Sequence, residues 1–451
     1  MAVDSPDPDV KQGTRSRVIL HSIAGAPGSP LARWLERTSA SFGELRPLVG
    51  PFPPPIVRIT GPEALLDEAA ESLPEGAARP EAIAVRLRRA GAELAWGEPD
   101  VLPDTASLVR LCRARGVSSV EQVRADPSLL VEMQLGSFFH AYWRRRLLRH
   151  GVIRLGLARA LTRFPAPFLD LASDVAFWTG VRSGATSQEW KRFARSSYVV
   201  FYYHRIGRGG WRGQEHLDLD VRRFERQLRV LRLLGFRCLS PDELLAFHAD
   251  PSATLSPRSY VLTADDALRD AVVALRRHGA LRPQVFVNTS AVGGSPPWAF
   301  GKAVADWDEL KSFEAAGGII GSHCRGHPRL PELDSENLRE ELVGSLREIR
   351  ARFPEAPPLL AYPHGLHDER VRSAAEAAGY CAAFTTDPGR NGAGIDVYCL
   401  RRIGLKDWDG AAAFLWKMLA GEWLPRRWGQ LTRRRKGRAT RGARRPTPHE
   451  P

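Results

Sequence analysis

Between residues 197 and 410 the chain alternates short apolar runs with amphipathic stretches of helical period. The runs are YVVFYYH (198–204), YVLTA (260–264), QVFVN (284–288), GGIIG (317–321) and PLLAYP (358–363). Between and after them come VRRFERQLRVLRLLG (221–235), DALRDAVVALRRHG (266–279), WDELKSFEAAG (307–317), ENLREELVGSLREIRARF (336–353) and ERVRSAAEAAG (369–379). Short apolar runs without strict polar alternation suit strands covered on both faces, and the intervening helices supply the cover. This alternation predicts an α/β fold, a distorted parallel (β/α) barrel over 197–410. In such barrels the catalytic groups gather at the carboxyl ends of the strands.

The ends of these runs carry chemistry. YVLTA delivers two adjacent acids, Asp265 and Asp266. Neighbouring carboxylates oppose each other's ionisation, so an idle pair at the end of a buried strand is costly; a metal or a proton in transit explains it. GGIIG leads into SHCRGHPRL, with His323 and His327 four apart, so that one helical turn would put both imidazoles on one side. LLAYPHG (359–365) has Pro363 and Gly365 to form a turn that exposes Tyr362 and His364. YCLRRIGL (398–405) supplies Arg401 and Arg402, and YYHRIG (202–207) supplies His204 and Arg205. Five such features at five strand ends predict one site at one rim.

These ordered motifs resemble the polysaccharide deacetylases, the NodB-like domain of carbohydrate esterase family 4. TADDA (263–267) is similar to the family's TFDDG, and His323-Cys324-Arg325-Gly326-His327-Pro328 to its His-Ser/Thr-x-x-His-Pro. LAYPHG resembles the third motif of the subgroup with FAYPYG, and YHRI, LRRIGL and FERQLRVLRLLGFRCLSPDEL also match that subgroup. The resemblance covers roughly 197–410. It implies a NodB-type barrel and a hydrolase acting on amide carbon–nitrogen bonds. It assigns Asp266, His323 and His327 to a divalent metal, zinc being expected, since two imidazoles and one carboxylate leave positions open for water and substrate. Asp265 becomes the general base, with Arg402 holding it ionised. His204 is the preferred proton donor to the leaving amine, with His364 and His367 as other candidates. Tyr362, Pro363 and His364 are expected to meet the substrate. The sequence departs from the family's pattern at Ala264 (usually aromatic), Ala267 (usually Gly), Cys324 (usually Ser or Thr) and His364 (usually Tyr), and has no clear Leu-x-His motif.

The rest of the chain divides by pattern into 1–14, disordered; 15–103, a small α/β domain; 104–196, a helical basic region; and 411–451, a helix with a basic, disordered tail. The loop GAPGSP (25–30) follows the first expected strand, RVILH (17–21), but lacks the spacing of a phosphate-binding loop. The net charge is +14 with only seven Lys, so Arg dominates. In WRRRLLRHGVIRLGLARALTR (143–163), Arg145, Arg149, Arg159 and Arg163 fall on one helical line, with Leu147, Leu157 and Leu161 opposite. Residues 426–445 hold ten basic residues and no acid. Both segments are candidates for peripheral contact with an anionic membrane. Nucleic acid is not expected, because basic charge is not interleaved with aromatics.

Five scattered Cys without a CxxC pair, the absence of an apolar signal segment and no run of ~18 apolar residues suggest a cytoplasmic protein, with the two basic segments as candidates for contact with the inner membrane face. The expected substrate is an amino-sugar glycan or its lipid- or nucleotide-linked precursor, which would lose an N-acetyl or N-formyl group. The alternative is a catalytically impaired carbohydrate-binding or scaffold module on the same fold.

Overall fold

The computed structural model describes residues 105–420 apart from 132, 134, 140–142, 156–168, 208–216, 407–408 and 410, together with three strands nearer the N-terminus. The chain forms two compact units, Met1–Ala194 and Arg195–Pro451.

In the first unit, strands β1 (Thr14–Arg17), β2 (Ile56–Pro62) and β3 (Glu93–Trp96) form an antiparallel sheet in that order. β1 starts at Thr14, three residues before the expected RVILH strand; 18–21 and the 25–30 loop lie outside the described residues. Among the described residues, four α-helices follow: α1 (Thr105–Ala125), α2 (Trp143–Leu155), α3 (Leu169–Gly184) and α4 (Ser187–Ala194). α1 and α3 cross with their backbones nearly touching. A Cβ on Gly116 would stand 2.1 Å from the Phe177 carbonyl oxygen, and one on Gly180 1.9 Å from that of Arg113.

The basic stripe expected on α2 is corrected here. Arg149 is buried, donating to Asp174 at 2.7 and 2.5 Å and to the Phe138 carbonyl at 2.8 Å. Leu147 and Leu155 are instead 61 % and 69 % exposed. A helix considered alone puts Arg outside; the acid on α3 reverses that, because a paired guanidinium can be buried. Arg159, Arg163, Leu157 and Leu161 lie outside the described residues. Among the described residues no helix is long and apolar enough to cross a membrane.

The second unit is built on β4 (Ser197–Tyr203), β8 (Ser259–Ala264), β9 (Gln284–Val287), β10 (Ile319–Ser322), β11 (Leu359–Ala361) and β12 (Ala382–Phe384). They lie side by side in chain order, all parallel. Short strands β5 (Arg205–Gly207) and β6 (Asp218–Asp220) pair with each other, and β7 (Arg237–Cys238) with the start of β8. Two more, β13 (Asn391–Gly392) and β14 (Ile403–Gly404), pair with β4. The stretch 400–404 links the two ends of the sheet. Leu400 bridges to Phe384 on β12, and β14 lies parallel to Phe201–Tyr202 on β4. The parallel sheet therefore curls into a distorted barrel, as its alternation predicts.

Alternate residues face opposite ways. Phe201, Tyr203, Leu262, Ala264, Val285, Val287 and Ile320 pack outward in one core cluster with the helices. Tyr202, Thr263 and Phe286 surround the Arg402 guanidinium inside the barrel. Helix starts follow local chemistry: Ser240 and Asp306 each form a capping box with the Glu three residues on. Asp265 is not such a cap. The helix after β8 begins at Arg269, and its N-cap, Leu268, makes no side-chain cap.

Candidate active site

The adjacent acids are separated by backbone geometry. Asp265 still belongs to the ladder, its N–H donating to the Tyr203 carbonyl at 2.9 Å. Asp266 and Ala267 then take φ of 67° and 47°. Two consecutive left-handed residues turn the chain sharply, at a steric cost of about 1–2 kcal/mol each for residues with a Cβ. The side chains part. Asp265 meets Arg402 in a two-pronged pair at 2.6 and 2.8 Å. Asp266 turns to His323, His327 and Asn288, with Oδ1 3.7 Å from His323 Nε2, 3.6 Å from His327 Nε2 and 3.1 Å from Asn288 Nδ2.

The two carboxyls accordingly differ in acidity. Burial pushes Asp265 up, but the Arg402 guanidinium outweighs it and holds the group at about 2. Burial and the neighbouring Asp265 push Asp266 up to about 7. Burial lowers both imidazoles, His327 to about 2 with help from its histidine neighbours. His323 Nδ1 donates to the Ala361 carbonyl at 2.6 Å, which leaves the Nε2 lone pair facing Asp266. One ligand atom from each of Asp266, His323 and His327 lies within 4.8 Å of the others. A carboxylate that is costly to ionise alone, beside two neutral imidazoles, is a donor set completed by a cation. The residues fit a divalent metal.

The histidines do not share a helical turn, as their spacing had suggested. Residues 323–329 form a loop in which Cys324 and His327 take φ of 64° and 63°. These two left-handed residues bring the imidazole centroids to 5.1 Å. Cys324 is buried in a separate apolar cluster with Leu342 and Tyr362.

Other expected residues divide. His204 directly follows β4 beside Tyr202, the ring centroids 5.7 Å apart, and its charge bears on both Asp265 and His327. Its neighbour Arg205 turns away to Asp218 and Asp270 at 2.6 and 2.9 Å. His364, exposed and at φ 58°, meets the His327 ring edge-on at 4.4 Å. Pro363 is buried and fixes the turn below it.

Tyr362 is a correction to the expected substrate contacts. It is fully buried in the outer cluster, donates to the Tyr398 carbonyl at 3.1 Å and stacks on His367 at 5.0 Å. A residue one position before the turn points to the opposite face from the site. His367 goes with it, its Nδ1 3.3 Å from Arg372 Nη1. Arg402 lies in the segment that closes the barrel, not at a strand's carboxyl end. Its neighbour Arg401 instead pairs through its backbone with Asn391.

Two site residues escape the motif reading. Asn288, fully buried, ends the QVFVN run, so strand-end logic applied to every run would have found it. Trp298 stacks on His327 at 5.2 Å from a short 3-10 turn, Pro297–Ala299, outside the motifs.

The family described as Polysaccharide deacetylase matches residues 252–383. That span takes in Asp265, Asp266, His323, His327 and His364 of the site just described, while His204 and Arg402 lie outside it. Residues 252–383 are a polysaccharide deacetylase domain. YxkH of Bacillus subtilis (strain 168), named as a polysaccharide deacetylase, is 24 % identical over 222 residues, 48 % of this chain and 74 % of that protein. Among solved structures, the Streptococcus pyogenes deacetylase PplD is 19 % identical, covering 50 % of this chain and 99 % of its own, with a TM-score of 0.43. IcaB from Ammonifex degensii is 21 % identical, with 50 % and 98 % covered and a TM-score of 0.42.

The deacetylase domain thereby falls among hydrolases of amide carbon–nitrogen bonds. Its departures from the family's motifs also find their places. Ala264 packs outward in the main core, so losing an aromatic there does not alter the rim. Ala267 keeps the left-handed turn that a glycine would adopt without strain.

Proposed function

We propose that this chain is a metal-dependent deacetylase that hydrolyses the N-acetyl, or N-formyl, amide of an amino sugar in a glycan or in its lipid- or nucleotide-linked precursor. The observation that carries this reading is the division of the two acids: Asp265 locked to Arg402, Asp266 gathered with His323 and His327. A divalent ion such as zinc, held by Asp266, His323 and His327, would polarise the amide carbonyl and acidify the attacking water.

Asp265, ionised because of Arg402, accepts the proton of that water. The water oxygen bonds to the acyl carbon, the carbon–nitrogen bond breaks, and the nitrogen departs with a proton. His204, at the end of β4, is the proposed donor of that proton. The products are acetate, or formate, and a free amine. Trp298 and His364 flank His327 and provide surface for the sugar.

Acetate release from N-acetylated amino-sugar oligosaccharides, measured beside zinc content, tests the proposal and separates it from a binding module. Asp266→Ala, His323→Ala and His327→Ala should each lose zinc. Asp265→Asn should keep zinc and lose turnover by about 10²–10⁴-fold, the range for removing a general base. A fully active Asp265→Asn protein would overturn the role given to Asp265.

A further inference from the structure

The loop that carries the two histidines is tied down by groups the proposed chemistry does not use. On one side Ser290 donates both its N–H and its hydroxyl to the Arg325 carbonyl, at 3.1 and 2.5 Å. The Thr289 N–H donates to the Cys324 carbonyl at 3.2 Å. On the other side one oxygen of Glu341, Oε2, accepts from the N–H of Arg325 at 2.8 Å and from that of Gly326 at 2.9 Å.

We propose that Glu341 is a positioning residue for His327: its carboxylate holds the backbone of Arg325 and Gly326, so that the left-handed residues flanking them keep both imidazoles on one ion. The proposal rests on the metal-site reading above. Cys324 and His327 each pay a steric cost at φ near 64°. Strained backbone persists only where its surroundings over-determine it.

Glu341 is aimed by a local irregularity. The helical stretch 335–350 contains a π-turn at Glu340–Gly344. Such turns are rare, and often occur at functional sites. The wider turn lets Glu340, Glu341 and, further along, Glu348 all face the loop. Glu340 and Glu348 take the Arg325 guanidinium, at 2.9 and 3.1 Å. Glu341 remains for the backbone. Two glycines make room for the clamp. A Cβ on Gly326 would lie 3.2 Å from Glu341 Oε1, and one on Gly344 2.7 Å from the Arg325 Cδ.

The test uses the full chain, with zinc affinity measured by competition against a chelating dye and amide exchange at Gly326 and His327 measured without zinc. Glu341→Ala should weaken zinc binding about 10- to 100-fold, as loss of an outer partner of a ligand does, and should speed exchange at both amides. Glu341→Gln should restore both, because its amide oxygen can accept the same two bonds. Gly326→Ala, which crowds the carboxylate without removing it, should give an intermediate loss and serves if Glu341→Ala does not fold. Wild-type zinc affinity in a folded Glu341→Ala protein would overturn the proposal, as would a lower melting temperature with unchanged affinity and exchange. If the native chain binds no zinc, or binds it equally well as Asp266→Ala, the metal-site reading fails instead. Amide exchange then decides alone whether Glu341 orders the loop, and unchanged exchange in Glu341→Ala rejects it.

Discussion

Asp265 and Arg402 are 137 positions apart in sequence, yet each is nearly sealed from water, with side chains 3 % and 0 % exposed. Removing one partner from a buried pair strands the other charge. Arg402→Met should therefore cost about 3–5 kcal/mol of stability. Adding Asp265→Asn in that background should return part of the loss, since a neutral amide needs no counter-charge. Urea denaturation of the two single variants and the double variant measures this coupling; strictly additive losses would count against it. The pH dependence has a definite sign. The folded carboxyl, at about 2, lies below its ordinary 3.8. The pair's contribution is therefore complete above the ordinary value and fades as pH falls toward 2. In Arg402→Met, only His323 and His204 remain to oppose the burial of Asp265, and the acid limb of activity should move up in pH.

At the scale of elements, β10 owes its place to a missing side chain. A Cβ on Gly321 would stand 2.6 Å from the Phe286 ring, which fills the barrel interior beside Arg402. Gly321→Ala should cost about 1–3 kcal/mol, the usual price of overpacking. Combining it with Phe286→Leu should recover part of that loss, because the smaller side chain vacates the contact. Thermal melts of the three variants check this; no recovery would place the strain elsewhere. The same strand ends in the His323 loop, so Gly321→Ala should also lower zinc affinity. Elements here serve the site by holding loops whose backbone would not adopt these angles unaided.

At the scale of the molecule, the deacetylase machinery described lies wholly in the Arg195–Pro451 unit. Every strand of the parallel sheet, the closing segment and all three metal-binding candidates fall within it. A chain of 195–451 should therefore melt in one cooperative transition and, under the proposed function, match the full chain in zinc binding and acetate release. Calorimetry and acetate release on that fragment give the answer. A fragment that folds but loses zinc would show that the first unit contributes to the site.

The sequence by itself determined the parallel α/β architecture of 197–410, because apolar runs too short for helices, alternating with amphipathic stretches of helical period, suit strands covered on both faces. It also marked Asp265, Asp266, His323, His327, His204 and Arg402, since charged and imidazole groups at the ends of such runs are conspicuous. Three kinds of feature were decided only in three dimensions. Which face a residue takes depends on local φ, so Tyr362 went to the core and His364 to the rim. Whether a basic residue is solvated depends on a partner far along the chain, so Arg149 turned inward to Asp174. The closure of the barrel, and with it the delivery of Arg402 to Asp265, depends on a short segment, 400–404, whose hydrogen bonds go to strands at opposite ends of the sheet. No local pattern encodes such pairings, because the two strands that the segment joins become neighbours only after the whole sheet has curled.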